Sequence, residues 1–167
     1  GLGGTKWSKE HARATADVLN QINPNYIRLR SLQVREGTGL FDVMAEGSFT
    51  PLGDEDVLKE IRMLLQQLHC HNTYIVSDHI LNLLQEIEGN LPEDKDRMLA
   101  IIDRYFSMPL KDRLIYRLGR RRGLYNSLDD LSNVRVYERL KQIVEEYEKK
   151  DPRQLDRDLY KAMHGYI

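Results

Sequence analysis

Tyr26-Ile27-Arg28-Leu29-Arg30-Ser31-Leu32 is the stretch on which the fold turns. Its residues alternate with period two, so Ile27 and Leu29 share one face of an extended chain and Arg28 and Arg30 the other. That pattern selects a half-buried strand, the best in the sequence. Before it, Ala12, Thr15, Ala16, Leu19 and Ile22 recur at helical spacing, and Asn23-Pro24 stops the run. Ser8 is placed to cap this helix, with Glu10 in its first turn. Ahead of Ser8, Gly1-Leu2-Gly3-Gly4-Thr5 permits tight turns and close approach to a ligand, as in a loop from a strand into a helix.

Beyond the strand, a loop around Glu36-Gly37-Thr38-Gly39 leads to a short helix from Leu40 to Glu46 closed by Gly47. Pro51-Leu52-Gly53-Asp54 opens another helix, with Ile61, Leu64, Leu65 and Leu68 as its core stripe. Thr73-Tyr74-Ile75-Val76 reads as a short strand, and Ser77 or Asp78 is then expected to cap a helix ending at Gly89. The remainder reads as helices over 92–106, with Pro92 at the first helical position, and over 109–121, 127–131, 134–149 and 152–164. One good strand among so many helices has no assured partner, so the expectation is a mainly α-helical α/β fragment whose amino-terminal half lies elsewhere.

The 167 residues suffice for one domain with a core, and the apolar fraction of 41% is ordinary for a globular chain. Although 31% of residues are charged, 25 Lys+Arg nearly cancel 26 Asp+Glu, so no global field draws the chain to nucleic acid or an acidic membrane. The single cysteine, Cys70, excludes an internal disulfide framework. No apolar run approaches the roughly 20 residues needed to cross a bilayer, and the expected compartment is the cytoplasm. The chain starts at Gly1 with neither a Met nor the basic and apolar regions of a signal peptide, which fits either a removed tag or a fragment.

Several side chains have chemistry to offer. Ser77, Asp78 and His79 supply a hydroxyl, a carboxylate and an imidazole, but consecutive residues of a helix diverge, so capping rather than a triad is expected. His69, Cys70, His71 and His79 could ligate metal, yet their spacing closes no site. Arg117 with Arg120-Arg121-Arg122 is the one basic cluster. It is expected to be a solvated helix end, with RNA, a phosphate-bearing substrate or another domain as alternative contacts. Trp7 is expected to anchor a helix start against the core, with shielding of a cofactor edge as the alternative.

Taken in order, Gly1-Leu2-Gly3-Gly4-Thr5, Glu10-His11-Ala12, Tyr26-Ile27-Arg28-Leu29-Arg30 and Glu36-Gly37-Thr38-Gly39-Leu40 resemble the last strand–helix–strand part of a radical SAM partial (β/α) barrel. In that family the fifth strand's glycine loop lies near the adenine of S-adenosylmethionine, and the sixth strand ends in a Gly-Thr-Pro-Leu loop. Here Gly39 stands where Pro is usual. Downstream, Ser77-Asp78-His79 with Asn82, Gly89-Asn90-Leu91-Pro92-Glu93-Asp94, Leu118-Gly119-Arg120-Arg121 and Ser127-Leu128-Asp129-Asp130-Leu131 look like the helical tail of a bacterial and archaeal radical SAM subgroup. The resemblance implies a barrel part over 1–50 and a helical accessory region over 51–167.

It further implies that the parent protein is an oxidoreductase that cleaves S-adenosylmethionine reductively with a 4Fe-4S cluster to start radical chemistry on an unknown substrate. The CxxxCxxC loop that holds such a cluster is missing here, so this fragment is expected to be inactive and to bind neither cofactor by itself. Gly3, Gly4, Thr5, Arg28 and Arg30 are the residues expected to line the cofactor or substrate cavity. The expected partner is the amino-terminal half of the same polypeptide, and the bare strand edge is expected to promote self-association. The competing expectation is a self-contained helical module that binds a protein or nucleic acid through Arg117 to Arg122.

Overall fold

A computed structural model describes residues 1–164. The first helix, α1 (Gly4–Ile22), starts ahead of Ser8: Gly3 is its N-cap, and the chain bends at Trp7, whose φ and ψ are −117° and 17°. Ser8 is therefore no cap, and its hydroxyl instead donates to Glu60 Oε2 at 2.6 Å. Trp7 does not anchor the start either, being 54% exposed with Lys6 Nζ 5.1 Å from its ring centroid. The expected stop holds: Asn23 turns left-handed, and its N–H bonds Leu19 O at 2.8 Å.

The decisive strand is real but short. It occupies Tyr26–Arg28 (β1), and Leu29 adds one further bond from its N–H to Val76 O at 2.9 Å. A short helix, α2 (Gly39–Ala45), capped by Thr38, and the longer α3 (Asp54–Gln67) carry the chain to Thr73–Val76 (β2). β2 runs parallel to β1 with Tyr26 opposite Tyr74, Ile27 opposite Ile75 and Arg28 opposite Val76. The strand that lacked an assured partner thus finds it some fifty residues on.

The helix expected from Ser77 to Gly89 does not form. Residues 77–87 are irregular, and Glu88–Leu91 (β3) pairs antiparallel with β2. The cause is competition for the backbone. Leu83 O accepts from Arg120 Nε at 3.1 Å, Asn82 O from Arg120 Nη2 at 3.3 Å and Leu81 O from Arg121 Nη2 at 3.0 Å. The guanidiniums thus give these carbonyls partners outside a helical ladder. Leu81, Leu83, Leu84 and Ile87 are all buried.

The rest is helical: α4 (Lys95–Ser107), α5 (Leu110–Arg121), a 3-10 turn (Leu128–Ser132), α6 (Val134–Lys150) and α7 (Pro152–His164). Pro92 is not the first residue of α4, which starts three residues later behind Asp94. Asp94 Oδ2 instead takes the Asn90 N–H at 2.8 Å, tying the helix start to β3. Ser127 and Asp130 form a capping box on the 3-10 turn.

The expected stripe of Ile61, Leu64, Leu65 and Leu68 is buried, and one apolar cluster runs from Ala16 through Ile27, Leu29 and Ile75 to Leu140 and Leu159. β1 pairs with β2 across residue 50, so a division there falls inside one sheet and one core. The chain is mainly helical with a small mixed sheet of order β1-β2-β3. No helix among the described residues is long and apolar enough to cross a membrane.

Candidate functional site at the carboxyl ends of the parallel strands

Ile27, Leu29, Ile75 and Leu91 are buried in the core. The alternation puts Tyr26, Arg28, Tyr74, Val76, Glu88 and Asn90 on the opposite face of the sheet. Apart from Val76, which is buried, that face is largely bare: Tyr26 is 53% exposed and stacked on half-buried Tyr74, ring centroids 6.1 Å apart, while Arg28, Glu88 and Asn90 are exposed. Parallel strands are ordinarily covered on both faces. β1 is also the edge of the sheet. Tyr74 N–H bonds Asn25 O, and Leu29 N–H bonds Val76 O, so the ladder's alternation turns the backbone groups of Tyr26 and Arg28 away from β2.

The carboxyl ends of both parallel strands meet on this side, and a buried asparagine fixes them. Asn82 Oδ1 accepts from the Ser31 N–H at 3.0 Å and its hydroxyl at 2.8 Å, while Asn82 Nδ2 donates to Leu29 O and to Ser77 Oγ, each at 2.9 Å. All polar capacity of a fully buried amide is spent on joining the end of β1 to the end of β2. Just outside it stand Arg28, Arg30, Asp78 and His79. Arg28 Nε donates to Asp78 Oδ1 at 2.7 Å, and this bond holds the Asp78 carboxyl below the usual carboxylate range. Arg30 is exposed.

His79 is 91% buried on the complement of its 9% exposure, and its Nδ1 makes no hydrogen bond. Burial lowers its pKa first, then the charges of Arg30 and Arg28, and Asp78 opposes them weakly. The imidazole is therefore neutral at pH 7. Ser77, Asp78 and His79 sit in irregular chain rather than on a helix, and none of them caps one. Ser77 is taken up by Asn82, so the three do not act as a unit.

The glycines expected near a ligand have protein neighbours. Gly4 has φ +56°, and a Cβ there would lie 2.7 Å from Thr50 O; one at Gly3 would lie 2.6 Å from Trp7 O. Thr5 is exposed, and its N–H bonds Thr50 O at 2.9 Å. Gly1, Arg28 and Arg30 do come together, around a 280 Å³ cavity between α1, β1 and α3. Its apolar wall includes Ala12, Ile27, Leu29 and Ile61, and at its end buried Glu60 accepts from Ser8 and lies 3.1 Å from His11 Nδ1.

The basic cluster is not a surface. Arg120 and Arg121 are buried, and Arg117 donates to Asp54 Oδ2 at 3.2 Å and Asp156 Oδ1 at 2.7 Å. Arg121 pairs with the same buried Asp54. These guanidiniums clamp α5 to α3, α7 and the 77–87 segment, and only Arg122 is exposed. A nucleic-acid face built on Arg117 to Arg122 is therefore not present in the fold.

Among the described residues no group of three or more His, Cys, Asp or Glu could hold a metal ion. The residues here do not fit a 4Fe-4S cluster, which needs three thiolates: Cys70 is the one cysteine, and it is buried with its Sγ 3.5 Å from Leu19 O. Fold and site thus define a mainly helical α/β protein with a cationic site where its parallel strands end. No protein-family model matches the chain, and no curated protein or solved structure matches it either.

Proposed function

We propose that this chain forms the closing part of a radical SAM enzyme: the last strands of its partial barrel and a helical region behind them. The observation that carries the reading is a parallel strand pair with one bare face and one free edge, bearing Arg28 and Arg30 toward the strands' carboxyl ends. Ligands of open α/β sheets gather at such ends. The glycine, strand and Gly-Thr motifs, in order within residues 1–40, suggest the family.

In this reading the bare face is a stretch of barrel lumen, and the free edge of β1 takes a neighbouring strand from the rest of the polypeptide or, without it, from a second copy. Arg28 and Arg30, which border the cavity with Gly1, hold a carboxylate or phosphate there, whereas Gly3 and Gly4 pack against Trp7 and Thr50. In the parent protein a 4Fe-4S cluster would supply the electron for the reductive cleavage of S-adenosylmethionine. The cluster ligands come from outside these residues. The coding sequence before Gly1 tests this: the proposal expects cysteines in CxxxCxxC spacing within the same reading frame, and an initiator codon directly before Gly1 overturns it.

A further inference from the structure

The cavity between α1, β1 and α3 joins an apolar wall to a buried charge. Ala12, Leu19, Ile27, Leu29, Ile61 and Leu64 supply the wall, and a volume of 280 Å³ lies just under the roughly 300 Å³ at which pockets for small molecules begin. Glu60, only 6% exposed, lines the same cavity. Its Oε2 accepts from the Ser8 hydroxyl at 2.6 Å, and its Oε1 lies 3.1 Å from His11 Nδ1 and pairs with the amino group of Gly1. A buried carboxylate is favourable only with a cation and donors around it. The cation it holds here is a primary ammonium, which marks where such a group sits against this wall.

That nitrogen is charged only while Gly1 is the first residue. Joined to preceding residues, as the radical SAM reading has it, it is an uncharged peptide N–H, and Glu60 keeps Ser8 and His11 but loses its permanent cation. We propose that the cavity then binds a small aliphatic primary ammonium, of a free amine or of an apolar amino acid, with the charge on Glu60 and the carbon chain on the apolar wall. The inference rests on the radical SAM reading for the loss of the Gly1 charge, and it names the ligand's class. Arg28 and Arg30 border the same cavity, so the carboxylate of an amino acid has cationic partners there that a free amine leaves unused.

The test is methyl NMR of the full 167-residue chain acetylated only at Gly1, which turns that amine into the amide of a continuing chain. Butylamine, norleucine and the uncharged isostere butanol are titrated separately while the methyl signals of Ile27, Ile61 and Leu64 are followed. The proposal expects saturable shifts with butylamine or norleucine, and about tenfold weaker binding both of butanol and of either amine to the chain whose Gly1 amino group is free. Binding of butylamine at least as tight as that of norleucine points to a free amine, and tighter binding of norleucine to an amino acid. Glu60→Gln is expected to erase the preference for amine over butanol; should that variant not fold, the comparison of ligands on the parent chain decides. Butanol binding as tightly as the amines, amine binding unchanged by acetylation, or no shift with either amine overturns the site. The titrations need neither cluster nor S-adenosylmethionine, so their outcome is separate from that of the radical chemistry.

Discussion

Asn82 Oδ1 accepts both the backbone N–H of Ser31 at 3.0 Å and its hydroxyl at 2.8 Å. Those bonds join residues fifty-one positions apart, and the same amide reaches Leu29 O and Ser77 Oγ. Asn82 is thus the side chain that converts two strand ends into one site. Replacing it by alanine leaves several buried polar groups without partners. Asn82→Ala is expected to cost about 3 kcal/mol, read as a lower urea midpoint with an unchanged slope.

Asp54 sits buried at the start of α3 facing Arg117 and Arg121. Asp54→Ala removes the carboxylate from between two desolvated guanidiniums and is expected to cost about 3 to 5 kcal/mol. Arg122→Ala, at the exposed carboxyl-terminal cap of α5, is expected to fall within about 0.5 kcal/mol of the parent. Denaturant melts of the two variants side by side check the contrast.

Gly4 lies at φ +56° with Thr50 O against its missing Cβ. Gly4→Ala is expected to lose about 2 kcal/mol through backbone strain and the clash. Thermal unfolding of the isolated chain without ligand measures it, and the loss is a packing effect separate from any contact to adenosine.

Burial and the two arginines set the His79 pKa in the folded chain below its ordinary 6.5. Between that lowered value and 6.5 the unfolded chain binds more protons than the folded one. Stability therefore falls as pH drops through this window, by at most about 1.4 kcal/mol per pH unit. His79→Gln is expected to flatten the slope in urea melts across the same range.

The sequence made some of this legible. The period-two run at Tyr26, the Asn23-Pro24 stop and the stripe from Ile61 to Leu68 are local signals, and each element formed where its signal lies. What failed was decided at long range. The segment after Ser77 carries a cap residue and abundant leucines, but its carbonyls were claimed by Arg120 and Arg121 from a helix some forty residues on. The same contacts hid the arginine cluster, which charge alone placed at the surface. Ser8 lost its capping role because Glu60 offered its hydroxyl a better partner. In the site, Arg28 and Arg30 were readable from alternation, whereas His79 was dismissed with the helix it was assumed to lie on. The Ser-Asp-His triplet followed by Asn82 was the available signal, and only the packed fold shows that Asn82 gathers the strand ends beside it.

The most direct measurement is on the natural polypeptide that contains these residues, purified without oxygen, reconstituted with iron and sulfide, and supplied with S-adenosylmethionine and dithionite. The account predicts 5′-deoxyadenosine, formed by the reductive cleavage. Absence of that product from protein that demonstrably carries its 4Fe-4S cluster would contradict it.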